Sequence, residues 1–272
     1  MTVDRTALDE AIDELYRAFA DRPLRTWTEP CLDCCATVEE EARLHDAPLR
    51  ELPIEAIEPY SQNAMTTWGD ERELNHLLPR LMEVTTVSDQ LWMCIETMGT
   101  AMHRARHTWT ADEQAAVDRA LLELWRREVE GAGHLYETGD LLCAIGWVTD
   151  DLTPHLAHWE SCSTTIAGPR LARLIRLDWD PQAAELASAF WTVRADDPRP
   201  RQAQMDQIAR WLMGPAPRDL LQAAATEQSA EAARALAALA GDPDAFGGSQ
   251  PPPERSRPAY APPPCPPRRL PS

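Results

Sequence analysis

The stretch Asp4-Arg-Thr-Ala-Leu-Asp-Glu-Ala-Ile-Asp-Glu-Leu-Tyr-Arg-Ala-Phe-Ala20 sets Leu8, Ile12, Leu15, Tyr16 and Phe19 at intervals of three and four, with acidic residues between them. This spacing puts the apolar side chains on one face of an α-helix. A half-buried strand would alternate apolar and polar residues, and no run in the chain sustains that alternation. Farther along, Thr110-Ala-Asp-Glu113 reads as a capping box, in which the threonine hydroxyl and the glutamate carboxylate each satisfy a free N–H at a helix start. A helix over about 111–128 follows from it. Further helical patterns cover about 53–67, 70–84, 87–106, 140–148, 150–162, 168–178, 181–194, 201–213 and 217–240, most of them bounded by Pro, Gly or Asp. The expected fold is an all-α multi-helical bundle over residues 1–240. Pro79 lies inside one of the helices and lacks an N–H, so a kink or break is expected there.

The tryptophans suggest how the C-terminal half is arranged. Trp92, Trp125, Trp159 and Trp191 are separated by 33, 34 and 32 residues, and Trp147, Trp179 and Trp211 by 32 and 32. Stacked helical hairpins produce such a period, since one hairpin alone cannot bury its apolar face. No consensus surrounds these tryptophans, so an irregular bundle accounts for them as well. From Gly241 the helical pattern stops, and ten prolines fall between Pro251 and Pro271 beside four arginines and one glutamate. Residues 241–272 are therefore expected to be a disordered tail of polyproline II character.

The whole chain carries 44 Asp and Glu against 26 basic residues, a net charge of −18, and every basic residue is arginine. Direct nucleic-acid or anionic-membrane binding is disfavoured, and a protein partner with a neutral or basic surface is expected. The lack of lysine excludes Schiff-base chemistry and a P-loop. No apolar run approaches the roughly 20 residues needed to cross a bilayer, and no signal peptide is apparent. Seven scattered cysteines do not form a disulfide framework. A cytoplasmic protein with reduced thiols is expected, with Cys94, Cys143 and Cys162 as small core residues.

Cys31-x-x-Cys34 has the spacing at which one tight turn supplies two corners of a zinc tetrahedron, with Cys35 and His45 as nearby third and fourth ligands and His76 a distant one. No second Cys-x-x-Cys completes the site. His103 and His107 are four apart near a helix end, a position histidine favours for its interaction with the helix dipole. Glu73-x-x-His76 matches half of a di-iron motif and lacks its second copy. His155 and His158 read as surface or packing residues. No nucleophile elbow, phosphate loop or dinucleotide fingerprint occurs, so nothing in the sequence marks an enzyme.

Cys31-Leu-Asp-Cys34-Cys35, Pro48-Leu-Arg-Glu-Leu52, Tyr60, Thr67-Trp-Gly69 and Leu78-Pro-Arg80 together resemble the signature of a widespread, uncharacterised bacterial family of helical proteins, over about residues 28–84. The resemblance implies a shared surface, for which Tyr60, Trp68, His76 and Arg80 are the candidates, and it implies no catalysis. A packing role for Tyr60 and Trp68 is the competing reading. The leading functional expectation is a non-enzymatic protein-interaction or scaffold protein. The alternatives are a zinc protein centred on Cys31 and Cys34, and an acidic mimic that occupies a nucleic-acid-binding protein.

Overall fold

The computed structural model describes residues 6–33, 35–87, 95–131, 136–180, 185–186, 202–226, 229–242 and 244–246. Cys34, Trp92, Cys94, Trp191 and residues 247–272 of the tail lie outside them. The fold is all-α, with twelve α-helices among the described residues. None of these helices is long and apolar enough to cross a membrane. The chain divides into two compact units, one ending at Ala120 and the other beginning at Leu121.

In the first unit, α1 (Ala7–Ala18) starts at a Thr6–Asp9 capping box and buries Leu8, Ile12 and Leu15, as its periodicity requires. It packs on α4 (Glu71–Val87), which also receives α3 (Ile54–Asn63) and α5 (Ile95–Ala105). A short helix, α2 (Val38–Arg43), had no clear sequence pattern; it is nucleated by a capping box of Thr37 and Glu40 and packs on α3. The helix α4 continues through Pro79, so the proline does not break it. Pro79 is buried within the helix. The expected capping box opens α6 (Ala111–Val129): the Thr110 N–H donates to Glu113 Oε2 at 2.7 Å and the Glu113 N–H to Thr110 Oγ1 at 3.2 Å.

In the second unit, α7 (Thr138–Val148) is buried at every position. It is followed by α8 (Thr153–Ser161), α9 (Thr164–Asp178), α10 (Gln202–Leu212), α11 (Pro215–Thr226) and α12 (Ala230–Leu239). The helix expected over 217–240 is two helices, because the Ser229 hydroxyl accepts the Ala232 N–H and starts α12 afresh. Within the expected helix 181–194, Glu185 and Leu186 instead pair antiparallel with Trp179 and Asp180. Helices α9, α11 and α12 pack mutually. Gly168 of α9 permits a close approach to α11, since a Cβ there would lie 2.4 Å from Ala224 Cβ.

The two tryptophan series meet in this unit. Trp125 and Trp159 contact edge to face with centroids 5.3 Å apart, and Trp211 lies against Trp159 at 5.3 Å. Each indole N–H is satisfied: Trp125 donates to the His155 carbonyl, Trp159 to the Ala167 carbonyl and Trp211 to Glu160. The His155 ring, only 4% exposed, stands edge-on to Trp125, and neither of its nitrogens has a hydrogen-bond partner. Cys143 is buried as expected, whereas Cys162 is half-buried at the end of α8.

Candidate functional site

The Cys31–Cys35 and Thr67–Gly69 motifs meet in the loop between α1 and α2. Trp68 is fully buried, donates its indole N–H to Thr28 Oγ1 at 2.6 Å, and forms backbone bridges with Pro30 and Ala64. The Cys31 N–H donates to the Thr67 carbonyl at 2.8 Å, and the Asn63 side-chain amide donates to the Cys35 carbonyl at 3.1 Å. From α2, the buried Glu41 carboxylate accepts the Thr28 N–H at 3.0 Å. An aperiodic loop is thus fastened from below by backbone and buried polar groups, which is how a segment without its own core acquires a single shape. Gly69, at φ +69°, turns the chain from this layer into α4.

Of the residues expected to form a binding surface, Trp68 and Tyr60 build this support. Tyr60 is fully buried and packs edge to face on Trp68, with centroids 5.7 Å apart. Burial, with Glu73 and Asp70 nearby, pushes its phenol well above the usual tyrosine range. His76 Nδ1 lies 2.5 Å from the Arg22 carbonyl. Arg80 donates from Nε to the Leu52 carbonyl at 3.0 Å and from a terminal nitrogen to Glu83 at 2.6 Å. The Leu-Pro-Arg motif thereby fastens the end of the Pro-Leu-Arg-Glu-Leu motif, whose Arg50 in turn stacks on Tyr16 and pairs with Asp13. Tyr60 and Trp68 meet in the core, which makes them packing residues and not surface anchors.

Of the expected metal ligands, His45 is engaged by Glu41, with Nε2 3.1 Å from Oε1. The Cys31 carbonyl accepts the Cys35 and Ala36 N–H groups, which closes a tight turn, and Cys34 falls outside the described residues. Among the described residues, no three or more His, Cys, Asp or Glu side chains are grouped to hold a metal.

Two features escaped the sequence reading. The first is a pair of ion-pair locks: Arg25 is bidentate to the fully buried Glu73 and also reaches Asp70, while Arg22 is bidentate to Glu113 at 2.6 and 2.7 Å. These carboxylates neutralise two of the three arginines lining a cleft of about 490 Å³ formed with Pro23, Leu24 and Arg72. Each lock joins residues far apart in sequence, so no local pattern could reveal it. The second feature is what the supported loop displays. Trp27, Leu32 and Val38 are 41%, 47% and 53% exposed, three of the five large hydrophobic side chains exposed among the described residues, and all come from one twelve-residue stretch. From Thr26 to Ala42 the chain carries five acidic residues and no basic one, and Glu29, Asp33 and Glu39 are exposed. Apolar residues without helical spacing in a stretch of acidic residues were the available signal.

No protein-family model, curated protein or solved structure matches the chain.

Proposed function

We propose that the chain is a non-enzymatic, cytoplasmic protein-interaction module, and that its binding face is the segment with Trp27 and Leu32 on the loop before α2 and Val38 at the start of α2. One observation carries this reading: exposed apolar side chains are concentrated on a segment whose backbone is held by Trp68, Thr28, Glu41 and Asn63. Monomeric proteins scatter such side chains singly, and a cluster rimmed by charge is the composition of a docking surface. A rigid loop also loses little conformational entropy when it binds. The acidic rim selects a partner that brings apolar side chains flanked by arginine or lysine.

The test is affinity capture from cell extract with the wild-type chain and with Leu32→Glu and Val38→Glu variants, each first shown to keep the wild-type circular dichroism. A stoichiometric basic partner, released by salt and lost at least tenfold from both variants, is the expected result. A partner retained equally by both variants would refute this face as the docking site, and failure to recover any stoichiometric partner would count against an interaction role.

A further inference from the structure

The backbone of Cys31 and Cys35 belongs to the supported loop, but their thiols have no part in the docking reading. The geometry points to these two cysteines as a modification site: a dithiol that a hydroperoxide closes into a disulfide and that small thiols reopen.

Two observations place the pair. First, the Cys35 N–H donates to the Cys31 carbonyl at 3.1 Å, and the Ala36 N–H donates to the same oxygen at 3.2 Å. A hydrogen bond from residue i+4 back to residue i closes one helical turn, which sets the two Cα atoms about 6 Å apart with their side chains on one face. A disulfide joins Cα atoms about 4.4–6.8 Å apart, so the pair is within range. Second, both ends of the turn are fastened to one short stretch of chain. The Cys31 N–H donates to the Thr67 carbonyl at 2.8 Å, and the Cys35 carbonyl accepts the Asn63 side-chain amide at 3.1 Å. Thr67 and Asn63 are themselves joined, the threonine hydroxyl donating to Asn63 Oδ1 at 3.1 Å. The two cysteines therefore cannot drift apart without breaking these bonds, and each thiol meets the other at a high effective concentration. Both residues are half-buried, which leaves a path for a small oxidant.

The reaction balances with the peroxide as the sole oxidant. One thiolate attacks a peroxide oxygen, the O–O bond breaks, and a sulfenic acid forms as water or an alcohol leaves. The second thiol attacks the sulfenic sulfur and expels water as the S–S bond forms. With hydrogen peroxide, two thiols lose two electrons and two protons, and the peroxide becomes two waters. Residues one helical turn apart hold their Cβ atoms about 5–6 Å apart, whereas a disulfide needs about 3.8 Å. The turn must tighten by about 1–2 Å to close, and a bond made under that strain is readily reduced, as regulatory disulfides are. Closure holds the exposed Leu32 and Asp33 in a covalent ring.

Trypsin, cutting after Arg25 and Arg43, releases residues 26–43 as one peptide carrying three of the seven cysteines. The wild-type chain, Cys34→Ser and Cys35→Ser, each first shown to keep the wild-type circular dichroism, are treated with hydrogen peroxide and quenched with iodoacetamide at timed intervals, and this peptide is weighed by mass spectrometry. In the wild type and in Cys34→Ser the peptide is expected to lose two hydrogens, to resist alkylation at two cysteines, and to revert with glutathione. Both chains are expected to close at least about tenfold faster when folded than in about 6 M urea, because the fold holds the thiols together. Cys35→Ser is expected to close at least about tenfold more slowly than wild type. A Cys34→Ser peptide that stays reduced, or that closes no faster than in urea, overturns the site. Closure of Cys35→Ser as fast as wild type would assign the chemistry to Cys34 and overturn the pair.

Discussion

Acidification from about pH 7.5 to about pH 4 is expected to cost the second unit about 3 kcal/mol through one side chain, His155. The imidazole is 4% exposed, and both nitrogens lack partners. Burial disfavours its charged form, and Arg126 and His158 add to that, while Asp151 opposes it; the net effect pushes the folded-state pKa from 6.5 down to about 4. His155 also sits in the first turn of α8, where the helix dipole disfavours a cation. The sign follows from proton uptake. Above pH 6.5 neither state binds the proton, and the group contributes no pH dependence. As the pH falls from 6.5 toward 4, the unfolded chain is protonated and the folded chain is not, so stability drops by about 1.4 kcal/mol per pH unit. Other carboxylates titrate in the same range, so the quantity to measure is a difference. Urea unfolding of wild type and His155→Phe, followed by fluorescence and far-ultraviolet circular dichroism at half-unit steps of pH, isolates the histidine. Phenylalanine keeps the edge-on ring against Trp125 and cannot take up a proton. The stability of the variant relative to wild type is expected to rise as the pH falls through this window. A difference that stays flat would show that the ring is solvated or hydrogen-bonded, and would refute the assignment of His155 as a buried neutral group.

Two further perturbations test the packing of each unit. Arg25→Ala leaves the fully buried Glu73 carboxylate without its bidentate partner and is expected to destabilise the first unit by about 3 kcal/mol; combining it with Glu73→Leu is expected to recover most of that loss, and urea unfolding that shows no recovery would mean the arginine acts through packing and not charge. Gly168→Ala would drive a methyl group to 2.4 Å from Ala224 Cβ and 3.2 Å from the Leu220 carbonyl, so the α9–α11 crossing must widen at a cost of about 1–3 kcal/mol; an unchanged thermal midpoint would show that the helices part freely.

What could be read locally, and what could not, divides along physical lines. Leu8, Ile12, Leu15 and Phe19 announced α1 because an amphipathic face repeats every turn, and Thr110 with Glu113 announced α6 because a capping box closes within four residues. The sequence by itself therefore determined the helical class, most helix positions and the acidic character. The break before α12 was less legible, because the cap at Ser229 competes with a run of good helix formers on either side. The site was legible only in part. Of the motif residues, Trp68 and Tyr60 are buried, whereas the exposed large apolar residues of the neighbouring stretch are Trp27, Leu32 and Val38. Which side of a loop faces water is decided by contacts such as Trp68 to Thr28, forty residues apart, and Arg25 to Glu73, forty-eight apart. Exposure is a property of the assembled unit, and only the tertiary structure assigns it.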